Sequence, residues 1–339
     1  MSPKRRIIPV FVPNAGCVYT CVFCDQRRIS GVMAAASADD VRIAADNLTD
    51  ADAPAELAFY GGSFTAMPKE YQDELLTAAQ PFLEQSPLRS IRVSTRPDCI
   101  DEHIVAWLKQ YGVETIELGA QSMSDDVLAE SRRGHTSGDT ARAAGLIKSA
   151  GLLLILQMMT GLPGDTREKS VYTARRFIEL KPAGVRIYPT VVVRGTELFE
   201  MWQSGRYREH TVEEAVDLCA EICTMFNEAD IPVIRLGLNP TKALSAGDAA
   251  AGAYHPAFGE LVYSKMFYCK AAARLKDIPA GCSVTITVPK GSTSVMIGQK
   301  RRNIIRLMKE FDLKDIKIIE APREVSNGND STPCVIIRQ

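Results

Sequence analysis

Short apolar segments of strand length alternate with helical patterns over residues 7–200. Near-continuous apolar strands separated by helices indicate a parallel sheet that is covered on both faces. The order of the elements predicts an α/β fold, a partial (β/α)6 TIM-like barrel, with its active site at the carboxyl ends of the strands. The six predicted strands are Ile7–Val12, Glu56–Tyr60, Ile91–Thr95, Thr115–Leu118, Leu152–Met158 and Val185–Pro189.

The pattern changes after residue 200, and three regions are predicted from it. Residues 1–200 form the core barrel, and residues 201–275 extend it with linking helices and a seventh strand at Val233–Leu236. Residues 276–339 form a small C-terminal α+β unit. Leu238–Ala253 is rich in Gly, Ala and Ser and is predicted to be a loop.

Charge, hydropathy and cysteine usage indicate a cytoplasmic protein with no membrane partner. The net charge is −1, so no global field draws the chain onto nucleic acid or anionic lipid. No segment approaches the roughly 20 apolar residues of a membrane helix, and the start MSPKRRIIPVFVP has no signal-peptide cleavage site. Nine cysteines, an odd number, favour reduced thiols in the cytosol over a disulfide framework.

Three of the cysteines form a C-x3-C-x2-C motif directly after the first strand. Cys17, Cys21 and Cys24 are close enough in sequence to converge on one soft metal centre. A closed structural zinc site takes four ligands, and the nearest histidine in sequence is His103. A cubane cluster takes one ligand per iron, so three cysteines would leave one iron open. Zinc with a remote fourth ligand, or three unrelated loop cysteines, remain the alternatives.

The motif resembles that of the radical S-adenosylmethionine (SAM) superfamily, and the resemblance extends over residues 7–200. It implies a [4Fe–4S] cluster on Cys17, Cys21 and Cys24, with SAM chelated to the open iron. The reaction implied is reductive cleavage of SAM to methionine and a 5′-deoxyadenosyl radical. It further implies an external electron donor of the flavodoxin or ferredoxin type. Tyr60-Gly61-Gly62-Ser63 matches the family's Gly-Gly motif, where a side chain would block backbone approach to SAM.

Further motifs stand at the ends of strands three to six, at residues 94–98, 117–122 with 132–135, 157–164, and 186–189 with 194–198. Together they are similar to the radical SAM half of the Elongator catalytic subunit and, more loosely, to oxygen-independent coproporphyrinogen oxidase. This resemblance assigns SAM binding to residues after strands two to five. They are Tyr60, Gly61, Gly62, Ser63, Thr95, Arg96, Gln121, Ser122, Gln157, Gly161, Leu162 and Pro163, with Gly161–Gly164 near the adenine.

Three residues are candidates for catalytic roles. Arg133, or alternatively Arg96, would pair with the SAM carboxylate through a bidentate fork. Tyr188 would contact substrate, or pack at the barrel rim. His135 would donate a proton, or make a structural hydrogen bond.

The C-terminal region adds a second hypothesis, which concerns RNA. Residues 295–305 resemble the helix–loop–helix core of a KH RNA-binding domain, although Arg301 stands where its second loop glycine is expected. A basic run stands at the predicted start of a helix: Lys300, Arg301 and Arg302. These side chains would bind phosphate, or alternatively they belong to a solvent-exposed helix without a ligand. About 80 residues follow Gly259, which is short for an acetyltransferase domain, so no acetyl transfer is expected.

These patterns together predict an Elongator-related radical SAM enzyme without an acetyltransferase, acting on an unassigned substrate for which tRNA is the leading candidate. A radical enzyme acting on a small metabolite or a tetrapyrrole is the first alternative. A non-catalytic, metal-containing RNA-binding protein is the second.

Overall fold

The computed structural model describes residues 5–17, 20–48, 54–85, 88–242, 244–321 and 336–338. The chain divides into two compact units. The first comprises Met1–Thr211 with Ile231–Tyr254, and the second comprises Val212–Asp230 with His255–Gln339.

The first unit is built on a parallel sheet of seven strands, in the order β1-β2-β3-β4-β5-β6-β8. Its neighbours pair in parallel throughout. This arrangement confirms the predicted partial barrel, including the seventh strand. The strands are β1 (Arg6–Phe11), β2 (Ala55–Tyr60), β3 (Leu88–Thr95), β4 (Val113–Gln121), β5 (Leu153–Thr160), β6 (Gly184–Pro189) and β8 (Val233–Leu236).

Helices connect these strands, and their starts follow from local sequence. The spacing of Ser37 and Asp40 in the sequence predicts a capping box, and the structure has it at the start of α2. Thr136 and Asp139 form another at the start of α6. The helices of this unit are α1 (Gln26–Ser30), α2 (Ala38–Asp46), α3 (Lys69–Gln85), α4 (Glu102–Gln110), α5 (Asp125–Glu130), α6 (Ser137–Ser149), α7 (Arg167–Leu180) and α8 (Glu197–Gln203).

The segment predicted as a loop after β8 contains a strand instead. β9 (Ala249–Gly252) pairs antiparallel with the short strand β7 (Val191–Val193). The prediction was wrong because Ala and Gly have low strand propensity, so the segment carries no alternating pattern. Its strand conformation comes from pairing with a distant valine-rich segment, and only the fold brings the two together.

The second unit contains a three-stranded sheet in the order β11-β10-β12. β10 (Ser283–Val288) pairs in parallel with β11 (Asp315–Glu320) and antiparallel with β12 (Ile336–Arg338). The helices are α9 (Val212–Glu228), α10 (Phe258–Leu275), α11 (Thr293–Ile297) and α12 (Arg302–Glu310). Among the residues that the structure describes, no helix has both the length and the apolar character needed to cross a bilayer.

The basic segment between α11 and α12 adopts an unusual backbone. Lys300 and Arg301 have left-handed φ values of 52° and 60°. Gly298 is required beside them, because a Cβ there would lie 2.9 Å from Ser264 Oγ. Buried Asn303 stabilises the segment by donating to Ser264 O at 2.9 Å and to Met296 O at 3.0 Å. The turn is therefore shaped by packing beneath it.

Candidate functional site

A cavity of about 650 Å³ lies inside the first unit, and its wall is formed by strands of the parallel sheet and by loops that follow them. Tyr60 ends β2, Thr95 ends β3 and Gln121 ends β4. Carboxyl ends of parallel strands meet at one edge of a barrel sheet, which is where barrel enzymes build their active sites. Of the residues predicted to form the site, thirteen line this cavity: Cys17, Cys21, Cys24, Tyr60, Gly61, Gly62, Ser63, Thr95, Arg96, Gln121, Arg133, Gln157 and Tyr188.

The cysteine loop and the Gly-Gly turn are packed backbone to backbone. Asn14 N donates to Gly61 O at 2.8 Å, and Ser63 N donates to Ala15 O at 2.9 Å. A Cβ on Gly16 would lie 2.2 Å from Ser63 O, and one on Gly62 would lie 2.4 Å from Ala15 O. Both glycines are thus required by the contact between the two loops.

This packing changes the expected effect of a side chain at Gly62. From sequence, such a side chain would block SAM and leave the cluster intact. In the structure it would push on the loop that carries the cysteines, since Val12 O also lies 2.6 Å from the added Cβ. Gly62→Ala is therefore expected to lower the iron content of anaerobically reconstituted protein.

A matched alanine substitution provides the control for Gly62→Ala. Gly145, inside α6, has nothing within 4 Å of an added Cβ. Gly145→Ala should keep its iron and gain roughly 0.5–1 kcal/mol of stability. The measurement is the iron content of the parent protein and of both variants. A Gly62→Ala protein with as much iron as the parent would contradict the packing argument.

The three cysteine thiols differ in exposure but share the cavity. Cys21 is buried, Cys24 is partly buried and Cys17 is exposed. Burial, and next the neighbouring Cys21, raise the pKa of the Cys24 thiol to about 12. Cys24 is therefore a neutral thiol until a metal displaces its proton, and metal loading releases protons.

The donor set of this cavity suits an iron–sulfur cluster. Thiolates are the soft ligands that such clusters take, and all three cysteines line one cavity. Within the described part of the chain, no three cysteine, histidine or acidic side chains are grouped so that they could hold one metal ion. The cluster therefore stays a prediction from the sequence.

Arg133 approaches the cysteines and has no acidic partner in the part of the chain that the structure describes. Its Nη1 donates to Cys21 Sγ at 3.0 Å, and its Nη2 donates to Gly119 O at 2.6 Å. Its Nε is buried without a hydrogen bond. A buried cation without a carboxylate is costly, which makes this side chain a candidate to bind an anion in the cavity.

Arg96, the alternative anion partner, is already paired. Its Nε and Nη2 donate to the two oxygens of Asp98 at 3.0 and 2.9 Å. The geometry therefore favours Arg133 over Arg96 as the group available to a carboxylate.

Gln121 combines a strained backbone with an unused side-chain acceptor. Its φ is 64°, at an irregularity in the pairing of β4 with β5. Its Oε1 is buried without a partner in the described residues. Strained residues with unsatisfied polar atoms cluster at ligand sites, so Gln121 is a candidate ligand contact.

Five residues predicted for the site do not line the cavity, namely Ser122, His135, Gly161, Leu162 and Pro163. Burial lowers the pKa of His135 to about 4, so its ring is neutral at pH 7. His135 Nε2 lies 3.2 Å from Ala120 O, which is consistent with a structural hydrogen bond. Leu162 packs among the apolar residues beside Cys21, and Gly161 O accepts a hydrogen bond from Tyr207 at 2.6 Å.

A buried charge network, which the sequence did not predict, includes residues of the cavity wall. Glu117 accepts from Tyr60 Oη at 2.9 Å, Arg92 Nη1 at 2.6 Å and Arg186 Nη2 at 2.9 Å. Gln157 Nε2 donates to its other oxygen at 3.1 Å. The available signal was a charged residue in the middle of each of three strands: Arg92 in β3, Glu117 in β4 and Arg186 in β6.

Two family models match the chain. The model described as "Radical SAM superfamily" matches residues 11–177, and the one described as "Radical_SAM C-terminal domain" matches residues 182–268. Together they cover well over half of the chain.

Curated relatives and a solved structure agree with these matches. Elongator complex protein 3 of Danio rerio is 31% identical over 248 residues, which are 67% of this chain and 42% of the relative. A tRNA uridine(34) acetyltransferase of Methanocaldococcus jannaschii is 34% identical over 183 residues, which are 48% of this chain and 34% of the relative. The structure of Methanocaldococcus infernus Elp3 with an N-terminal deletion superposes with a TM-score of 0.61 at 25% identity, over 77% of this chain and 62% of that one.

The chain spans about 35% to 43% of the length of the first curated relatives it matches. Their resemblance therefore concerns the radical SAM region that the two family models describe. The cysteine-lined cavity, the partial barrel and both family matches agree, and the chain belongs to the radical SAM superfamily.

Proposed function

We propose that this chain binds a [4Fe–4S] cluster through Cys17, Cys21 and Cys24, cleaves SAM reductively, and uses the resulting radical on tRNA. The observation that carries the proposal is a cavity where three cysteines meet a buried arginine that has no carboxylate partner among the described residues. When bound, the cluster supplies the electron that cleaves SAM to methionine and a 5′-deoxyadenosyl radical. An external donor of the flavodoxin or ferredoxin type would reduce the cluster.

The chain's own residues would hold and orient SAM. Arg133 would release Cys21 Sγ to the metal and offer its Nη groups to the SAM carboxylate as a charge-assisted pair. Gln121 Oε1 supplies an unused acceptor, and the Gly61–Gly62 backbone borders the cavity without side chains. The hydroxyls of Ser63 and Thr95 are hydrogen-bonded to each other, with 3.0 Å between Oγ and Oγ1, which holds both hydroxyls in place at the cavity wall.

The tRNA assignment rests on the relatives and is confined to the radical step. One relative's name specifies a tRNA uridine(34). Both family matches describe radical SAM regions, so the proposal includes no acetyl transfer. Free thiols at the eight described cysteines suit a reducing cytoplasm, where we place the reaction.

Replacing Arg133 tests the proposal. Arg133→Met should bind SAM at least tenfold more weakly, since one charged hydrogen bond contributes about 1.5–3 kcal/mol. SAM affinity of the reconstituted protein, measured by calorimetry, and 5′-deoxyadenosine formed with dithionite are the readouts. Arg176→Met, at an exposed arginine of α7 that pairs with Glu179, is the matched control. Unchanged SAM affinity in Arg133→Met would show that Arg133 does not bind the SAM carboxylate.

The C-terminal basic segment is proposed as an RNA contact with two free cations. Arg302 pairs with Glu213. Within the described residues, Lys300 and Arg301 are exposed and have no carboxylate partner. Two neutralised phosphates give a slope of log affinity against log salt of about −1.4 on single strands.

A salt titration of tRNA binding measures this contribution. Lys300→Ala with Arg301→Ala should weaken binding at low salt and flatten the slope. Lys314→Ala with Lys317→Ala removes the same charge from exposed positions of the same unit and should leave the slope unchanged. No tRNA binding by the parent at low salt would favour a small-molecule radical enzyme instead.

A further inference from the structure

Two arginines stand side by side on the wall that β6 and β8 contribute to the cavity. Arg186 and Arg235 are direct partners in the parallel register of these strands, and both line the cavity. Like charges on neighbouring strands repel unless something compensates them. The groups that balance each positive charge therefore indicate whether the arginine has a structural role or is available to a ligand.

Arg186 is compensated within the protein. Its Nε lies 2.9 Å from Glu117 Oε2, and its Nη2 donates to Glu117 Oε1 at 2.9 Å. It therefore belongs to the buried network and has no need of a ligand.

Arg235 has no such partner. Its Nε donates to Gly237 O at 2.9 Å, which orients the guanidinium and leaves both Nη groups available. Across the described ranges, no carboxylate pairs with it. Burial, together with Arg186, lowers its pKa, yet an arginine remains charged in proteins. The positive charge of Arg235 is thus held beside the positive charge of Arg186, and the described residues provide no counterion for it.

Among the described residues, the lining of the cavity contains four arginines and no aspartate or glutamate. Two of the four form ion pairs with carboxylates that do not line the cavity: Arg96 with Asp98, and Arg186 with Glu117. Arg133 and Arg235 remain, and they lie on different walls. Arg133 bonds to Gly119 on β4, and β4 is separated from β8 by two strands, so the strand axes are roughly 14 Å apart. The two cations are therefore suited to two different anionic groups.

Tyr188 adds a neutral donor beside Arg235. Its hydroxyl lies 3.4 Å from Arg186 Nη1, where it can accept a hydrogen bond while its own proton stays available. Burial raises the pKa of Tyr188, so it keeps this proton at neutral pH. A guanidinium fork and a hydroxyl together match the several oxygens of one phosphate group.

We propose that Arg235 and Tyr188 form a phosphate-binding subsite on the wall away from Arg133. This inference rests on the proposed function, and the phosphate would belong to the nucleotide that the radical attacks.

The test compares a nucleotide with its nucleoside. Uridine 5′-monophosphate and uridine are titrated calorimetrically into anaerobically reconstituted protein that holds SAM. The parent should bind the monophosphate at least tenfold more tightly, which is about 1.4 kcal/mol. Arg235→Met should reduce this preference to within about twofold, and Arg235→Lys should keep part of it as a point charge. Arg176→Met, at a partly exposed side chain of α7 that does not line the cavity, should keep all of it.

Folding of the variants is not expected to be a difficulty. Removing Arg235 leaves no buried carboxylate without a partner, and the melting temperature of Arg235→Met checks this. Arg235→Gln serves as a second variant if the methionine variant does not fold.

Different outcomes separate the subsite from the proposed function. Equal affinities in the parent, no binding of the monophosphate, or a preference that survives in Arg235→Met would each overturn the subsite. Unimpaired tRNA modification by Arg235→Met would also overturn it and leave the proposed function standing. A preference that depends on Arg235, in a protein that modifies no tRNA, would support the subsite and overturn tRNA as the substrate.

Discussion

Cys21→Ala is expected to abolish both the cluster and the formation of 5′-deoxyadenosine. Cys21 is the buried member of the three cysteines that line the cavity, and two thiolates would leave two irons of a cubane without protein ligands. Anaerobically reconstituted parent protein should contain about four irons, as a [4Fe–4S] cluster requires. The variant should contain none in an intact cluster, judged by iron and sulfide analysis and by the spectrum of the reduced protein.

Cys282→Ala is the control for this experiment. Its thiol is free and belongs to the second unit, so this variant should keep its iron and its activity. Stoichiometric zinc in the parent, without a reducible cluster, would overturn the cluster assignment and favour a non-catalytic metal protein. Retention of the cluster in Cys21→Ala would show that other residues ligate it.

Glu117→Gln is expected to destabilise the fold by about 3 to 5 kcal/mol, because it breaks a buried ion pair by removing one partner. The Glu117 side chain is 0% exposed and contacts Arg92 and Arg186 at once. Its loss leaves their charge only partly balanced, since Glu56 still pairs with Arg92. Chemical denaturation of the parent and the variant, followed by circular dichroism, measures the difference.

Glu114→Gln on the same strand is the matched control. The Glu114 side chain is 46% exposed where it pairs with Arg5, so the change should cost less than about 1 kcal/mol. Equal effects of the two substitutions would contradict a structural role for the buried network.

The Glu117 ion pairs also predict a pH dependence of stability. Burial alone would raise the pKa of Glu117, but Arg186 and Arg92 hold it below its ordinary value. The stabilisation is therefore fully present above the unfolded-chain pKa of about 4.3 and is lost as the pH falls through the lower folded-state pKa. Glu117→Gln should lack this component of the acid-induced loss of stability.

Much of the fold and part of the site could be predicted from sequence, because the signals are local. Strand-length apolar runs predicted the parallel sheet, and Ser37 with Asp40 predicted the start of a helix. The C-x3-C-x2-C spacing and the Gly-Gly turn each lie within a few residues, and the structure brings both to one cavity. Patterns of this range are determined by backbone geometry and neighbouring side chains.

What the sequence by itself determined is therefore the βα order, the cysteine motif and the family resemblance. Tertiary structure decided which charges meet: Glu117 with Arg186, and Arg302 with Glu213. It likewise decided that Arg133 and Arg235 have no carboxylate partner within the described part of the chain. Such pairings join strands and helices far apart in sequence. Whether a charged side chain has a partner depends on which residues lie next to it in the folded chain, and no local sequence pattern encodes this.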